Sequence, residues 1–409
     1  MRLRLMVVLA SIAVAVLLAT GTAWGDDAPP GDGPISEVPL AGTEVTATFI
    51  PNEVVVKTEA GSYEDRTVDA TSLDAVQAAA ESIEAEDPSI EEAGPNYLYA
   101  PEFVPDDPLY SAYQYWLRGG EVGTSERVGI SAGRAWDQSR GGNVAVGYVD
   151  TGWDRDHPDL VNEVVEEWDF IDGDGAAEDT WYHGTSVGGI IGADTNNGKG
   201  VASAGFNVAL YAAKACTEKA CSTADTAPAI DWLAEHGVGI INLSFGAYFP
   251  EGTSDPVLEA AVADAQAAGA LITASSGDNG EVASNHYPSC YADVVGVGST
   301  MEDGSISDFS TRGPCVDLVA PGYAVTTTYN PAEDPYSKYA RVYGTSFSAP
   351  QVAGAAALVK AQEGDLTGKQ ISERLFDTAT DLGPVGQDDT YGYGLLNANC
   401  AVSPNETGC

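Results

Sequence analysis

From about residue 130 onward, the chain alternates short apolar, β-branched stretches with stretches of helical periodicity, and glycine-rich joints separate them. Parallel strands need crossover connections, so this alternation predicts a parallel sheet with helices on both faces. We therefore expect an α/β fold with a mostly parallel, doubly wound sheet flanked by helices. Strands are expected at 143–149, 208–213, 239–243, 270–274 and 293–297, and helices at 183–193, 227–236, 255–267 and 348–362.

Three polar residues come directly after predicted strands: Asp150, Ser244 and Asp278. In open parallel sheets, sites form outside the carboxyl ends of the strands, so these residues are expected to share one cleft. Asp278 lies in ITASSGDNG, where glycines and Asn indicate a turn. A side chain that caps its own turn is the simpler interpretation of Asp278 on this stretch alone.

A smaller α+β domain is expected at residues 45–101, with strands at 46–50 and 53–57, a helix at 73–83 and a strand at 90–99. A cluster of Pro and Asp at 101–108 separates it from the large domain, 102–409. Residues 26–44 are rich in Pro, Gly and Asp and are interpreted as a linker.

The N-terminus has the pattern of a secretory signal peptide. Arg2 and Arg4 precede an apolar run at 5–18, and small residues precede an expected cleavage after about Gly25. We expect residues 1–25 to be removed and the protein to be secreted, without membrane association afterwards. The formal net charge of −43 argues against nucleic-acid binding, which needs a basic surface.

Six cysteines in an exported chain suggest three disulfides, although fifteen connectivities are possible. Sequence proximity favours Cys216 with Cys221 and Cys400 with Cys409, which leaves Cys290 with Cys315.

Three stretches carry residues suited to nucleophilic catalysis. They are VAVGYVDTGWDRDHPDL with Asp150, HGTSVGGIIGA with His183 and YGTSFSAPQVAGAAALV with Ser346. A serine hydroxyl becomes nucleophilic when an imidazole accepts its proton, and a buried carboxylate holds that imidazole in place. Taken singly, the residues are also explained as a turn residue, a helix-start residue and an N-cap.

In the order Asp, His, Ser, these motifs resemble those of the subtilisin-like serine endopeptidases, the subtilases. The resemblance runs from about Asp107 to about Val402. It implies a subtilisin-like fold and a secreted, monomeric endopeptidase that hydrolyses extended polypeptides through an acyl-enzyme. Asp150, His183 and Ser346 would form the triad, without a catalytic cofactor.

The stretch GPNYLYAPEF followed by DPLY resembles the junction between a subtilase propeptide and the mature enzyme. Residues 45–101 would then be an intramolecular inhibitor that the enzyme itself removes. An independent binding domain is the alternative.

The resemblance also implies how substrate binds. The backbone of Ser244-Phe245-Gly246 would pair with an extended peptide, and Ser275-Ser276-Gly277 would form the opposite wall of the primary specificity pocket. His286 would lie at the pocket floor, unless it is a surface-loop histidine. The Cys216–Cys221 loop would line the substrate cleft.

A structural calcium site is implied by Asp159 and the loop at 194–201, whose oxygens suit calcium. The expected ligands are Asp159, Asp194, Asn196, Asn197 and Val201, and a solvated polar loop is the alternative.

Asp278 departs from the family pattern. It stands where most subtilases have the oxyanion-hole asparagine, beside the backbone N–H of Ser346. Some prohormone-processing relatives and the acid-acting sedolisins also have Asp there, but sedolisins replace the histidine that is His183 here. The alternative to a working protease is a catalytically impaired subtilase fold that acts as a binding or inhibitory protein. A third interpretation is a sedolisin-like acid protease, which the presence of His183 disfavours. The neighbouring Asn279 could also supply the donor.

Overall fold

The computed structural model describes residues 36–39, 46–58, 60–97, 103–120, 127–330, 338–405 and 409, with backbone only at 36–39 and 46–49. The chain divides into two compact units near residue 98. The predicted signal peptide and most of the predicted linker lie outside the described residues, as does the junction near residue 101.

The smaller unit is a four-stranded sheet with one helix. Its elements are β1 (Ser36–Pro39), β2 (Thr46–Thr58), β3 (Tyr63–Thr67), α1 (Leu73–Glu86) and β4 (Ile90–Tyr97). Strand β2 lies between β3 and β4 and pairs with both in antiparallel register. Helix α1 begins after the Ser72 cap and buries Leu73, Val76 and Ala80.

Two predictions for this unit differ from the structure. The expected strands at 46–50 and 53–57 are one strand, because Asn52 adopts a φ of 64° and the register shift between Phe49 and Val54 absorbs the irregularity. Residues 36–39, expected to be linker, form β1 because their extended backbone pairs with β2.

The large unit is built on a parallel sheet, as predicted, and this sheet has seven strands. Its strands are β5 (Val144–Asp150), β6 (Val164–Asp169), β7 (Val208–Lys214), β8 (Ile240–Leu243), β10 (Leu271–Ser275), β12 (Val294–Thr300) and β13 (Leu318–Pro321). They lie in the order β13-β12-β10-β8-β5-β7-β6, and every neighbouring pair is parallel.

Two small antiparallel ribbons accompany this sheet. They pair β9 (Ala247–Tyr248) with β11 (His286–Tyr287), and β14 (Val325–Thr328) with β15 (Tyr339–Val342).

Helices cover both faces of the sheet. They are α2 (Tyr110–Tyr113), α3 (Ala132–Ala135), α4 (His183–Gly192), α5 (Thr223–Glu235), α6 (Pro256–Ala267), α7 (Ala349–Gln362), α8 (Gly368–Asp377) and α9 (Ala398–Val402). Helices α4 and α7 pack in one core, and α5 and α6 pack in a second core on the opposite face. Helix α7 is almost entirely buried, which explains why its sequence is Ala- and Gly-rich rather than amphipathic.

The structure contains the three disulfides that sequence proximity favours, Cys216–Cys221, Cys290–Cys315 and Cys400–Cys409. Among the helices of the described residues, none combines the length and apolar character needed to cross a membrane.

Candidate active site

The strand order places one cleft beside β5, where successive strands switch from one side of this strand to the other. From β5 the chain proceeds to β6 and β7 on one side, and then crosses to β8 on the other. Crevices of this kind, outside the carboxyl ends of parallel strands, are where ligands bind in open α/β sheets. Asp150 ends β5, Ser244 follows β8 and Ser275 ends β10, so Asp278 follows shortly at the same edge.

Asp150 and His183 are in direct contact. Nδ1 of His183 lies 2.8 Å from Oδ1 and 3.0 Å from Oδ2 of Asp150. Asp150 is buried and its Oδ1 also accepts a hydrogen bond from the N–H of Thr151 at 2.7 Å. Burial alone lowers the pKa of His183, but the negative charge of Asp150 and its hydrogen bond outweigh burial and raise this pKa above its ordinary value.

A second buried carboxylate, Asp179, fixes the start of α4. It accepts hydrogen bonds from the hydroxyl and N–H of Thr185 at 2.6 and 3.0 Å, and from the hydroxyl of Thr151 at 2.9 Å. The Thr151 hydroxyl oxygen in turn accepts from the N–H of Gly184 at 2.9 Å. These bonds hold the backbone beside His183, and the sequence analysis missed them; the one sequence signal is an acid four residues before that histidine.

Ser346 lies in a 3₁₀ turn, Thr345–Phe347, that precedes α7. Its hydroxyl donates to the carbonyl oxygen of Ser244 at 3.0 Å, and the Ser244 hydroxyl donates to the carbonyl oxygen of Ser346 at 2.7 Å. Within the described residues, Ser346 makes no hydrogen bond with Nε2 of His183. Hydrogen bonds between catalytic groups are often long when no substrate is bound. Rotation about the Cα–Cβ bond of Ser346 would turn its hydroxyl in another direction.

Asp278 does not cap its own turn. Its Oδ1 accepts a hydrogen bond from the N–H of Thr345, next to Ser346, at 2.8 Å. The residue as a whole is exposed, but its carboxylate is removed from water, and this raises its pKa above the ordinary value. The hydrogen bonds from Thr345 and the charge of His183 act in the opposite direction and are outweighed. Asp278 therefore links the end of β10 to the turn that carries Ser346.

Asn279 has the local turn role instead. Its Oδ1 accepts from the N–H of Glu281 and from the hydroxyl of Thr311, both at 2.9 Å. Both bonds are accepted by its Oδ1, and Asn279 lines the same cavity as Ser346, so the alternative in which its NH₂ group supplies the missing donor stays open.

The predicted substrate-binding residues line a cavity of about 590 Å³. Phe245, Gly246, Ser275, Gly277, Asp278, His286 and Ser346 all contribute to its wall. Ser276 is buried behind the wall, where its hydroxyl donates to the carbonyl oxygen of Thr311 at 3.2 Å. A second cavity of about 210 Å³ lies beside His183 and is lined by Trp181, Ser244 and the Cys216–Cys221 loop.

His286 is not a surface-loop histidine. It is 4% exposed, and it pairs through β11 with Tyr248 of β9 at the cavity wall. Its ring lies 4.7 Å from the ring of Tyr248, and burial lowers its pKa to about 4.

The loop predicted to bind calcium packs around Asp159. Asp159 is buried and accepts from the side-chain amide of Asn197 at 3.1 Å and from the N–H of Val201 at 3.0 Å. Asp194 is attached through its backbone, since its N–H donates to the carbonyl oxygen of Asp159 at 2.9 Å. Asn196 points its side-chain oxygen to the N–H of Asp106.

Asp107, which the sequence analysis did not select, belongs to the same cluster. Its Oδ2 accepts from the N–H of Asn196 at 2.8 Å, while its Oδ1 is buried and has no hydrogen-bond partner in the part of the chain that the structure describes. Burial, together with the charge of Asp159, raises its pKa to about 6. Because the described residues contain no group of three His, Cys, Asp or Glu suited to a metal, a cation here would also need amide and carbonyl oxygens.

The chain is similar to known proteins in sequence and in fold. Residues 141–394 match the family model described as the subtilase family. The chain is 34% identical over 303 residues to thermitase of Thermoactinomyces vulgaris, covering 73% of this chain and 99% of thermitase. It is 38% identical over 263 residues to subtilisin Savinase of Lederbergia lenta, covering 64% of this chain and 91% of that protein.

A solved structure of a protease from Pseudoalteromonas arctica is similar in fold. The TM-score is 0.67 with 27% sequence identity, and the match covers 74% of this chain and all of the other.

Proposed function

Since the chain belongs to the subtilase family of serine endopeptidases, we propose that it uses Asp150, His183 and Ser346 as its catalytic triad and that it is secreted as a self-processing zymogen. The observation that carries this proposal is the contact between Asp150 and His183 at the same sheet edge as Ser346. Protein or peptide chains are its substrates, as the family implies.

In the proposed reaction, the Ser346 hydroxyl leaves the carbonyl oxygen of Ser244 and turns to His183. Nε2 of His183 accepts its proton while Oγ forms a bond to the carbonyl carbon of the peptide. Asp150 accepts the Nδ1–H hydrogen bond and stabilises the imidazolium. His183 then donates the proton to the departing amine, and water, activated in the same way, hydrolyses the acyl-enzyme.

The developing oxyanion would be received by the N–H of Ser346 and by the protonated carboxyl of Asp278. A protonated carboxyl can donate a hydrogen bond, whereas an ionised one repels the oxyanion. The raised pKa of Asp278 favours the protonated form. We therefore expect activity to decline less steeply toward mildly acidic pH than in an enzyme with Asn at this position.

Substrate would bind as an added strand along the cleft. Backbone groups of Ser244-Phe245-Gly246 and Ser275-Ser276-Gly277 would pair with the peptide on its two sides, in the mode called β-augmentation. These stretches extend directly from β8 and β10, so the rigid sheet positions them.

Secretion and zymogen processing rest on the sequence pattern. Residues 1–25 have the order of charged, apolar and small residues that signal peptides share, and three disulfides suit an oxidising compartment. The separate unit that ends near residue 98 is then the inhibitory propeptide.

A structural calcium is proposed at Asp107 and Asp159. The buried Oδ1 of Asp107, which has no hydrogen-bond partner among the described residues and feels the charge of Asp159, fits a hard cation that binds oxygen. Such an ion would join the loop at 194–201 to the segment before α2 and would contribute stability, not chemistry.

The test is expression of Ser346→Ala with host proteases excluded. We expect no peptide hydrolysis and a propeptide that stays attached, whereas the parent releases it. Self-maturation of purified Ser346→Ala at the parental rate would contradict the proposal. If the parent itself hydrolyses no peptide, the catalytically impaired, substrate-binding alternative is favoured instead.

A further inference from the structure

The imidazole of His286 lies close to both Gly246 and Gly277, which belong to the two predicted walls of the primary pocket. A Cβ atom added at Gly246 would lie 2.3 Å from its Cε1, and one added at Gly277 would lie 2.9 Å from its Cδ2. Both distances are shorter than real Cβ contacts, so a side chain at either position would collide with the ring. Only glycine at both positions leaves room for it.

The ring is also held from outside the pocket. Nδ1 of His286 lies 3.0 Å from the hydroxyl oxygen of Ser289, and Tyr248 packs against the ring. The Tyr248 hydroxyl is itself hydrogen-bonded to the hydroxyl of Thr311 at 2.5 Å. Withdrawal of the ring to admit a large side chain would break the Ser289 contact and lose this packing.

The hydrogen bonds assign the tautomer. The Ser289 hydroxyl donates its single proton to the carbonyl oxygen of His286 at 2.9 Å, so it accepts from Nδ1–H. Nε2 is then an unprotonated acceptor that faces the cleft, with no hydrogen-bond partner among the described residues. Burial keeps the ring neutral at ordinary working pH, since it lowers the pKa to about 4. A substrate carboxylate would meet a lone pair there rather than a positive charge.

We propose that His286 closes the primary pocket, so that the enzyme cleaves after small uncharged residues such as alanine, glycine and serine. This inference rests on the proposed function, because it assumes that the cleft wall formed by Ser244–Gly246 and Ser275–Gly277 holds the residue before the cleaved bond. Large apolar side chains are excluded by the ring's volume, and acidic ones by the neutral acceptor.

The experiment measures kcat/KM for peptide p-nitroanilides that differ only in the last residue, which is Ala, Phe, Leu or Asp. For the parent enzyme, we expect Ala to exceed each of the others at least tenfold. In His286→Gly, the value for Phe should rise at least tenfold, while the value for Ala changes less than threefold. His286→Ala gives a second variant if the glycine variant does not fold. His236→Ala, which replaces a histidine outside the cleft, is the matched control and should keep the parental ratios.

A parent that cleaves after Phe as well as after Ala would overturn the proposal, and so would an unchanged Phe-to-Ala ratio in both His286 variants. Hydrolysis of casein and fluorophosphonate labelling of Ser346 separate this failure from a failure of the proposed function. With both present, a preference for large residues overturns the inference alone. With both absent, the catalytic proposal itself fails, and the pocket proposal fails with it.

Discussion

Asp278→Asn changes one carboxylate oxygen into an amide donor and leaves the shape of the side chain unchanged. In the structure, Oδ1 of Asp278 accepts the N–H of Thr345, and Oδ2 lies close to Gly344. An asparagine that keeps the Thr345 bond through its oxygen places its NH₂ group where Oδ2 is now. The variant therefore has a permanent donor at this position, whereas the parent has one only when its carboxyl is protonated.

The pH determines how much this difference is worth. Protonating an aspartate of ordinary pKa costs about 4 kcal/mol at pH 7 and about 1.5 kcal/mol at pH 5. One oxyanion donor contributes about 2.7–4 kcal/mol, a magnitude measured in subtilisin. In the parent at pH 7, the cost of protonating Asp278 nearly cancels the stabilisation by its donor, whereas the variant has the donor without that cost. The kcat/KM of Asp278→Asn should therefore exceed that of the parent at pH 7 by about 10²–10³-fold. At pH 5 the ratio of variant to parent kcat/KM should shrink to roughly tenfold. Because removal from water raises the pKa of Asp278 and so lowers the cost of protonating it, both ratios are upper limits.

The assay is kcat/KM against pH for both proteins on one peptide substrate, expressed as the ratio of variant to parent. Protonation of His183 lowers activity in both proteins and largely cancels in the ratio. One effect of His183 does not cancel. The Asp278 carboxylate raises the pKa of His183, so its removal keeps the variant active at lower pH and would make the ratio rise, not fall, as the pH decreases. A falling ratio toward pH 5 is therefore not an artefact of the histidine.

A ratio that stays constant or rises as the pH falls would refute the proton-donor role of Asp278. Asn279→Ala is the matched control, because Asn279 is held by Glu281 and Thr311 and should leave the profile unchanged. A loss of about a hundredfold in Asn279→Ala, together with an unchanged profile in Asp278→Asn, would assign the donor to Asn279 instead.

Three further predictions concern stability and positioning. Replacing Cys290 and Cys315 by Ser should lower the free energy of unfolding by about 3–4 kcal/mol, against about 2 kcal/mol for the shorter Cys216–Cys221 loop; equal losses in denaturant titrations would contradict the chain-entropy argument. Chelation should lower the Tm more than it lowers kcat, and Asp107→Asn should reduce that Tm difference; identical Tm values in calcium and in chelator would exclude the site. Thr151→Val removes the bonds to Asp179 and Gly184, so kcat should fall about tenfold with KM little changed; a rise in KM alone would indicate a role in binding.

The sequence predicted the large sheet well, because buried parallel strands have a strong pattern. Strands β5, β7, β8, β10 and β12 and helices α4, α6 and α7 lie within a few residues of their predicted positions. The strand β6 was missed because it is an edge strand of sequence VVEEWD, whose acidic residues interrupt the apolar run. Helix α5 begins at Thr223, four residues before the prediction, since Ser222 starts the helix and Pro228 is accommodated inside it.

Features of the site that depend on tertiary contacts could not be predicted in this way. The motifs indicated which residues meet, but nothing near Asp278 in the sequence shows that its carboxylate reaches Thr345, 67 residues away. The unpartnered oxygen of Asp107 and the network around Asp179 likewise arise from burial by distant segments. The ring of His286 between two glycines is visible only once β9 and β11 are paired.

The central claim is that His183 and Asp150 activate Ser346, and fluorophosphonate labelling tests it most directly. In the mature parent, we expect stoichiometric labelling, with peptide mapping by mass spectrometry placing the label on Ser346. In His183→Ala, whose serine is intact, the rate of labelling should fall by several orders of magnitude, because triad members act as a unit. Absence of label in the folded parent, or labelling of His183→Ala at the parental rate, would contradict the account.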